Sequence, residues 1–234
     1  ASLSAMFYLI SVYFYLKARL TQNFQKQVSH FAITILAMFA AFFSKENTFT
    51  LPVMFLLTEI FLMNKKFRFR RIHLILILAG IALFAGVMIF TDIGGKITQY
   101  YKNFNGESVN SYRYFITQGE VYLKYFQLLF VPVGQNVDHH IPIDYSIKLM
   151  NVVGFLVVAG LMALGAYLYN RNRVLSFGIF FFFLTISIEA SFIPILDVIM
   201  EHRIYLPMAG FSMAVVGGAF SVLSAGKSKR KDAK

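Results

Sequence analysis

Apolar residues dominate seven stretches of the chain, at 2–16, 31–43, 49–63, 74–90, 149–168, 174–188 and 208–225, and polar residues collect in the connections between them. A helix that crosses a bilayer perpendicularly needs about 20 such residues. The second and third stretches are shorter, so they thin the membrane, extend into their flanks or form a re-entrant hairpin. A different pattern marks one further segment: Arg113, Thr117, Glu120, Lys124 and Gln127 recur at steps of four, three, four and three, with Tyr114, Phe115, Val121, Tyr122, Tyr125, Phe126 and Leu129 on the other faces. That spacing predicts an amphipathic helix lying along the membrane surface. Together the patterns predict an all-α polytopic membrane protein with about seven transmembrane or re-entrant helices plus one interfacial amphipathic helix. The organisation expected is a single multi-spanning domain over 1–225 and a basic cytoplasmic loop or tail over 226–234.

Composition agrees with this reading. Of 234 residues, 58% are hydrophobic and 14% charged, well away from soluble domains, which run near half apolar and a quarter charged. Cysteine is absent, which rules out disulfides and Cys-ligated metals. The formal charge of +11 sits in short clusters between apolar runs, a pattern of membrane topology and not of nucleic-acid binding. Fifteen of the 22 basic residues fall in one set of connections, at 17–26, 65–71, 171–173 and 227–234, with Asp232 their one acid. By the positive-inside rule this set is cytoplasmic. Glu46, Asp92, Glu107, Glu120, Asp138, Asp144, Asp197, Glu201 and all five prolines fall on the opposite, outer side. Irregular backbone near a membrane must be buried in protein or line a wet cavity, so the working face is expected outside, on a multi-pass protein of a cell membrane, the bacterial inner membrane. The chain opens at Ala1 in an already apolar run, which reads as a piece that begins within a helix.

Candidate chemistry concentrates at 187–207, where Glu189, Asp197, Glu201, His202 and Arg203 stand between two apolar runs. Ionisable groups at the edge of hydrocarbon are costly unless paired or facing a wet cavity. The cluster is therefore either a functional site or an outer loop tied by a Glu201–Arg203 ion pair. Lys45 and Glu46 pose the same choice between a local pair and a ligand role, with Asn47 or Thr48 capping the next helix. Glu59, near the other surface, is expected to pair with the basic cluster at 65–71. His139 and His140 with Asp138 either hold a metal or form a polar loop beneath the amphipathic helix. Gly210, Ala214 and Gly218 form a ridge of small residues suited to close helix packing, and the phenylalanines at 180–183 are lipid-facing or core bulk. No phosphate-cradling Gly-rich loop, nucleophile elbow or HExxH motif is present, so soluble nucleotide chemistry has no support.

Three stretches carry a family resemblance: Ser44-Lys-Glu-Asn-Thr-Phe-Thr-Leu-Pro52 with Glu59 downstream, the segment 122–142 with its Pro-Val-Gly-Gln-Asn-Val-Asp core, and Glu201-His-Arg-Ile-Tyr-Leu-Pro-Met-Ala-Gly210. In order and placement they resemble the membrane domain of polyprenyl-phosphate-sugar-dependent glycosyltransferases of the GT-C superfamily. The likeness is nearest to the group linked to tetratricopeptide repeats, which includes protein O-mannosyltransferases and bacterial relatives. The resemblance implies a GT-C-like fold, a lipid-linked sugar donor and a protein or glycan acceptor. It also implies a catalytic acid in a first outer loop, which would lie upstream of Ala1, so that this piece alone is expected to be inactive. In that picture a carrier phosphate leaves as an acceptor hydroxyl attacks the anomeric carbon. Arg203 and Lys45 are the cations expected to bind the phosphate. Glu201 and Glu46 would orient those cations or meet the sugar, and His202 and Tyr205 would hydrogen-bond phosphate or sugar. A transporter or lipid flippase is the rival reading, with inverted repeats and midplane charges. A non-catalytic assembly subunit is the third.

Overall fold

The computed structural model describes residues 1–63, 111–136, 139, 146–190 and 198–231. Among them every regular element is helical. The order is α1 (Ser2–Leu20), α2 (Phe24–Phe42), a 3-10 turn (Glu46–Thr50), α3 (Leu51–Thr58) continuing into a π turn (Glu59–Met63), α4 (Ser111–Phe130), α5 (Leu149–Leu168), α6 (Arg173–Ile186), a second 3-10 turn (Glu201–Ile204) and α7 (Tyr205–Lys231). Six of the seven apolar stretches thus lie on helices, and the one at 74–90 falls outside the described residues. Three segments are long and apolar enough to cross a membrane, Glu46–Met63, Leu149–Leu168 and Glu201–Ser221, while α6 is apolar but has 14 residues.

The distribution of side chains is that of a protein solvated by lipid. On α5 the buried positions are Asn151, Gly154 and Gly165, whereas Leu149, Leu156 and Leu164 stand exposed. On α2 the buried positions are Thr34, Ala37 and Ala41, with Ile35, Leu36 and Phe39 outside. A soluble helix would invert this arrangement. Small and polar residues face the partner because lipid is as apolar as leucine and close backbone approach supplies the packing.

The two most intimate pairings are α1 with α2 and α6 with α7. Between α1 and α2 the buried Ser11 hydroxyl donates to the Thr34 carbonyl at 2.9 Å. Between α6 and α7 the small-residue ridge does what its spacing predicts: a Cβ placed on Gly178 would lie 2.5 Å from the Gly210 carbonyl oxygen and 2.6 Å from the Ala214 nitrogen. A second crossing joins α4 to α5, where a Cβ on Gly154 would meet the Gly119 carbonyl oxygen at 1.9 Å and Asn151 Nδ2 donates to the Ile116 carbonyl at 2.9 Å.

Two apolar cores result, and α6 belongs to both. Phe177 and Phe181 join Tyr8, Val12, Leu51, Met54 and Phe61 in the first. Ile179, Phe182, Phe183 and Ile186 join Val121, Tyr125, Leu128, Ile199 and Ile204 in the second. The run of phenylalanines at 180–183 is therefore core, with Phe181, Phe182 and Phe183 buried.

Arg19, Arg171 and Arg173 share one end of the helices. There Arg19 forks onto Glu59, with Nε–Oε1 at 2.5 Å and Nη2–Oε2 at 3.1 Å, and the Tyr15 hydroxyl donates to the same carboxylate at 2.8 Å. Glu59 was expected to pair with the basic cluster at 65–71, which lies outside the described residues. Among the described residues Arg19 holds it, because α1 and the π turn finish side by side. Tyr169 donates to the Ile60 carbonyl at 3.1 Å, and Arg171 and Arg173 cover the rings of Tyr167 and Tyr169 at this same end. Lys45, Glu189 and Arg203 gather at the other end.

Two expectations change in detail. The polar stripe on α4 does not all face outward, since Thr117 is fully buried with its hydroxyl on the Arg113 carbonyl. Gln118 and Gly119 join the buried face. The change follows from the crossing at Gly119, which rolls that part of α4 onto α5. The basic segment after 225 does not begin as a loop, because α7 continues through Lys231.

Candidate functional site

The site is built at two chain turns and one helix face. α2 ends when the Ser44 and Lys45 amides both donate to the Ala41 carbonyl, at 2.9 and 3.2 Å. Lys45 is then extended (φ −168°) and opens the first 3-10 turn, where Thr48 returns its hydroxyl to the Lys45 carbonyl at 2.6 Å. The corner aims Lys45 across the bundle, where its Nζ bonds Glu189 Oε1. Glu189 stands in the turn that ends α6, its amide on the Ile186 carbonyl at 3.1 Å, and it is 2% exposed. This contact joins residues 144 apart in sequence.

The face of α4 that carries Tyr114 and Tyr125 closes over the same region. The Tyr114 hydroxyl donates to the Glu189 carbonyl at 3.3 Å, and the Tyr125 hydroxyl donates to the Met200 carbonyl at 3.3 Å. Burial pushes the Tyr125 phenol up to about 12, with the nearby Arg203 guanidinium pulling it down and Glu189 and Tyr114 adding to the rise. Tyr125 is consequently a protonated donor at any physiological pH, and its phenol senses the charges of both Arg203 and Glu189.

Arg203 lies in the second 3-10 turn, 5% exposed, with Nη1 donating to the Val198 carbonyl at 3.4 Å. Among the described residues no carboxylate is within ion-pair distance of it. A guanidinium cannot shed its proton, so a buried one needs acceptors for its donor fork. Among the described residues, two cations and one carboxylate thus share this region.

The other predicted residues lie further out. Glu201 does not pair with Arg203; its Oε1 accepts from the Asn136 amide at 2.7 Å and meets His139 Nε2 at 2.9 Å. Neither cation bonds it: Lys45 Nζ bonds Glu189, and Arg203 Nη1 donates to the Val198 carbonyl. Glu46 and Tyr205 are exposed and His202 is half-buried. His139 thus meets Glu201 in the described structure, while Asp138, His140 and Asp197, and with them the choice between a metal site and a polar loop, fall outside the described residues. No group of three or more potential metal ligands occurs among the described residues.

Tyr114, Gln118 and Tyr125 were given no site role by the sequence pattern, and Glu189 was named only as one member of the cluster at 187–207. Two signals were nevertheless present. Glu189 is an acid set directly after an apolar run, and Gln118 stands one turn from both Tyr114 and Tyr122, within the apolar face of an amphipathic helix. Alongside the polar centre runs an apolar groove of about 420 Å³ between α4, α5, α6 and α7, lined among others by Phe126, Phe130, Leu161, Phe182, Phe211 and Val215. Comparison with protein-family models, curated proteins and solved structures finds no match to this chain.

Proposed function

We propose that this chain is the membrane part of a GT-C-type glycosyltransferase that moves a sugar from a polyprenyl-phosphate carrier to a protein or glycan acceptor on the outer face of the membrane. The observation that carries the reading is Arg203: a buried guanidinium with no carboxylate partner among the described residues, in the same region as the Lys45–Glu189 pair. A phosphate that leaves in a low-dielectric site gathers negative charge, and a fixed fork of donors stabilises that charge without reorganisation. Lys45 adds a second positive charge, held in place by Glu189. The apolar groove that begins at Phe126, next to Tyr125, offers a surface for the polyprenyl chain.

The test is binding and stability measured on the same purified variants. Arg203→Ala is expected to weaken polyprenyl-phosphate binding by about 2 to 5 kcal/mol, the usual cost of truncating one partner of a desolvated charge pair. Arg203→Lys keeps the charge but loses the fork, and in the complete protein activity should fall at least about tenfold, roughly 1.4 kcal/mol at the transition state. A lowered melting temperature with carrier affinity unchanged would reject the reading.

The outward placement of this end has its own test. The chain contains no cysteine, so single cysteines report cleanly. In intact cells a membrane-impermeant thiol reagent should label Glu46→Cys and spare Arg171→Cys. The reverse pattern would overturn the orientation.

A further inference from the structure

Three side chains at the Lys45 end are more than nine-tenths buried and keep polar atoms without a hydrogen-bond partner among the described residues: Asn47 at Oδ1, Gln118 at both amide atoms and Glu189 at Oε2. Their relative exposures are 4%, 1% and 2%. Buried polar groups are nearly always satisfied, and each exception calls for an explanation. The elements that carry these three meet around Glu189. Asn47 follows Lys45 by two residues, and Lys45 bonds the other oxygen of Glu189. Gln118 follows Tyr114 by one helical turn and lies between Tyr114 and Tyr125 on the face of α4 that reaches the Glu189 carbonyl and Met200.

The chemistry of the set is specific. Glu189 Oε2 and Asn47 Oδ1 only accept, and the Gln118 amide both donates and accepts. None of these atoms carries positive charge, and a carboxylate oxygen repels phosphate, so the set does not suit the anionic part of a donor. It suits a neutral group with several hydroxyls, each of which gives one hydrogen bond and takes others. We propose that Asn47, Gln118 and Glu189 form the subsite that reads the sugar hydroxyls of the lipid-linked donor, while Arg203 holds its phosphate. This assignment rests on the glycosyltransferase reading and adds the residues that would set sugar specificity. The ion pair with Lys45 fixes one carboxylate oxygen of Glu189 and leaves the other for the sugar. Buried groups built to bond a hydroxyl discriminate strongly, because an analogue that lacks the hydroxyl leaves them unpaired.

The experiment compares, on the full chain in lipid nanodiscs, the affinity for bare polyprenyl phosphate with that for the same carrier bearing glucose, mannose or galactose. The natural protein should bind at least one hexosyl carrier about tenfold or more tightly than the bare one, the discrimination expected of buried polar contacts. Gln118→Leu should reduce that preference to below about twofold, leave bare-carrier affinity unchanged and melt no lower than the natural protein, since it replaces an unpaired buried amide by an apolar group of similar size. Gln118→Met, with an unbranched side chain, should behave alike and covers the case in which leucine does not fit. The subsite is overturned if no hexosyl carrier is preferred, if the preference survives in both variants, or if both bind every carrier less well and melt lower. When bare-carrier affinity depends on Arg203 but the preference survives at Gln118, the subsite alone fails. When bare carrier does not bind, or binds Arg203→Ala equally well, the glycosyltransferase reading itself fails.

Discussion

Gly178→Val and Gly210→Val should each unfold the α6–α7 pairing, with losses at or above the upper end of the roughly 1 to 3 kcal/mol typical of overpacked sites. The reason is what the new side chain would meet. A Cβ on Gly210 lies 2.7 Å from both the Gly178 carbonyl oxygen and the Phe182 nitrogen, and one on Gly178 lies 2.5 Å from the Gly210 carbonyl oxygen. Backbone cannot swing aside as the end of a side chain can, so the helices must separate and the cores on both sides of α6 open with them. Gly160 on α5 provides the internal control, because a Cβ there meets nothing within 4 Å. Gly160→Ala should be neutral or stabilising by up to about 1 kcal/mol through helix propensity. Melting temperature and the monodisperse fraction in detergent are the readouts. If Gly178→Val melts with the natural protein, the observed approach of the helices is wrong.

Breaking the Lys45–Glu189 pair from one side is expected to cost nearly as much. Glu189→Leu strands an ammonium in a buried corner, and Lys45→Met strands a carboxylate that is 2% exposed. Either single variant should lose about 3 to 5 kcal/mol. The double variant should recover most of that loss, since well-packed apolar residues can replace a buried pair at little net cost. It should nevertheless lose carrier binding and sugar preference, because the second positive charge and the Glu189 acceptor are both gone. A double-mutant cycle on melting, read beside binding, separates the two roles. Losses that simply add would show that the two side chains do not interact.

Much of this was legible in the sequence because a membrane makes helices announce themselves. The stretch 149–168 coincides with α5, whose ends are fixed by Lys148 and Tyr169. Other boundaries moved for local reasons. α2 begins at Phe24, seven residues before its apolar run, because the Asn23 side chain caps it through the Lys26 amide at 3.1 Å. α1 continues to Leu20 because Lys17 and Arg19 carry their charges at its last turn, where long basic side chains reach out from apolar surroundings. In the site, Lys45 and Arg203 were legible as cations out of place. Their surroundings were not, since a pairing that spans 144 residues leaves no local trace and must be assembled by the tertiary fold. The stripe on α4 misled in one respect: a period marks a face but not its partner, and the Gly119 crossing turns Thr117 inward.

The double membership of α6 has a consequence for how the protein is made. Its Phe177 and Phe181 complete one core and its Phe182, Phe183 and Ile186 complete the other. α1, α2 and α3 are synthesised by residue 58, yet α6 starts at residue 173. At ribosomal rates of about 5 to 20 residues per second, the early helices wait on the order of ten seconds for the segment that closes them. During that interval the faces that α6 will cover, with Tyr8, Leu51 and Met54, rest against lipid or an insertion chaperone. Biogenesis of this protein is therefore set by the arrival of α6, and a mutation that delays it leaves a correctly inserted but unclosed first half open to proteolytic surveillance.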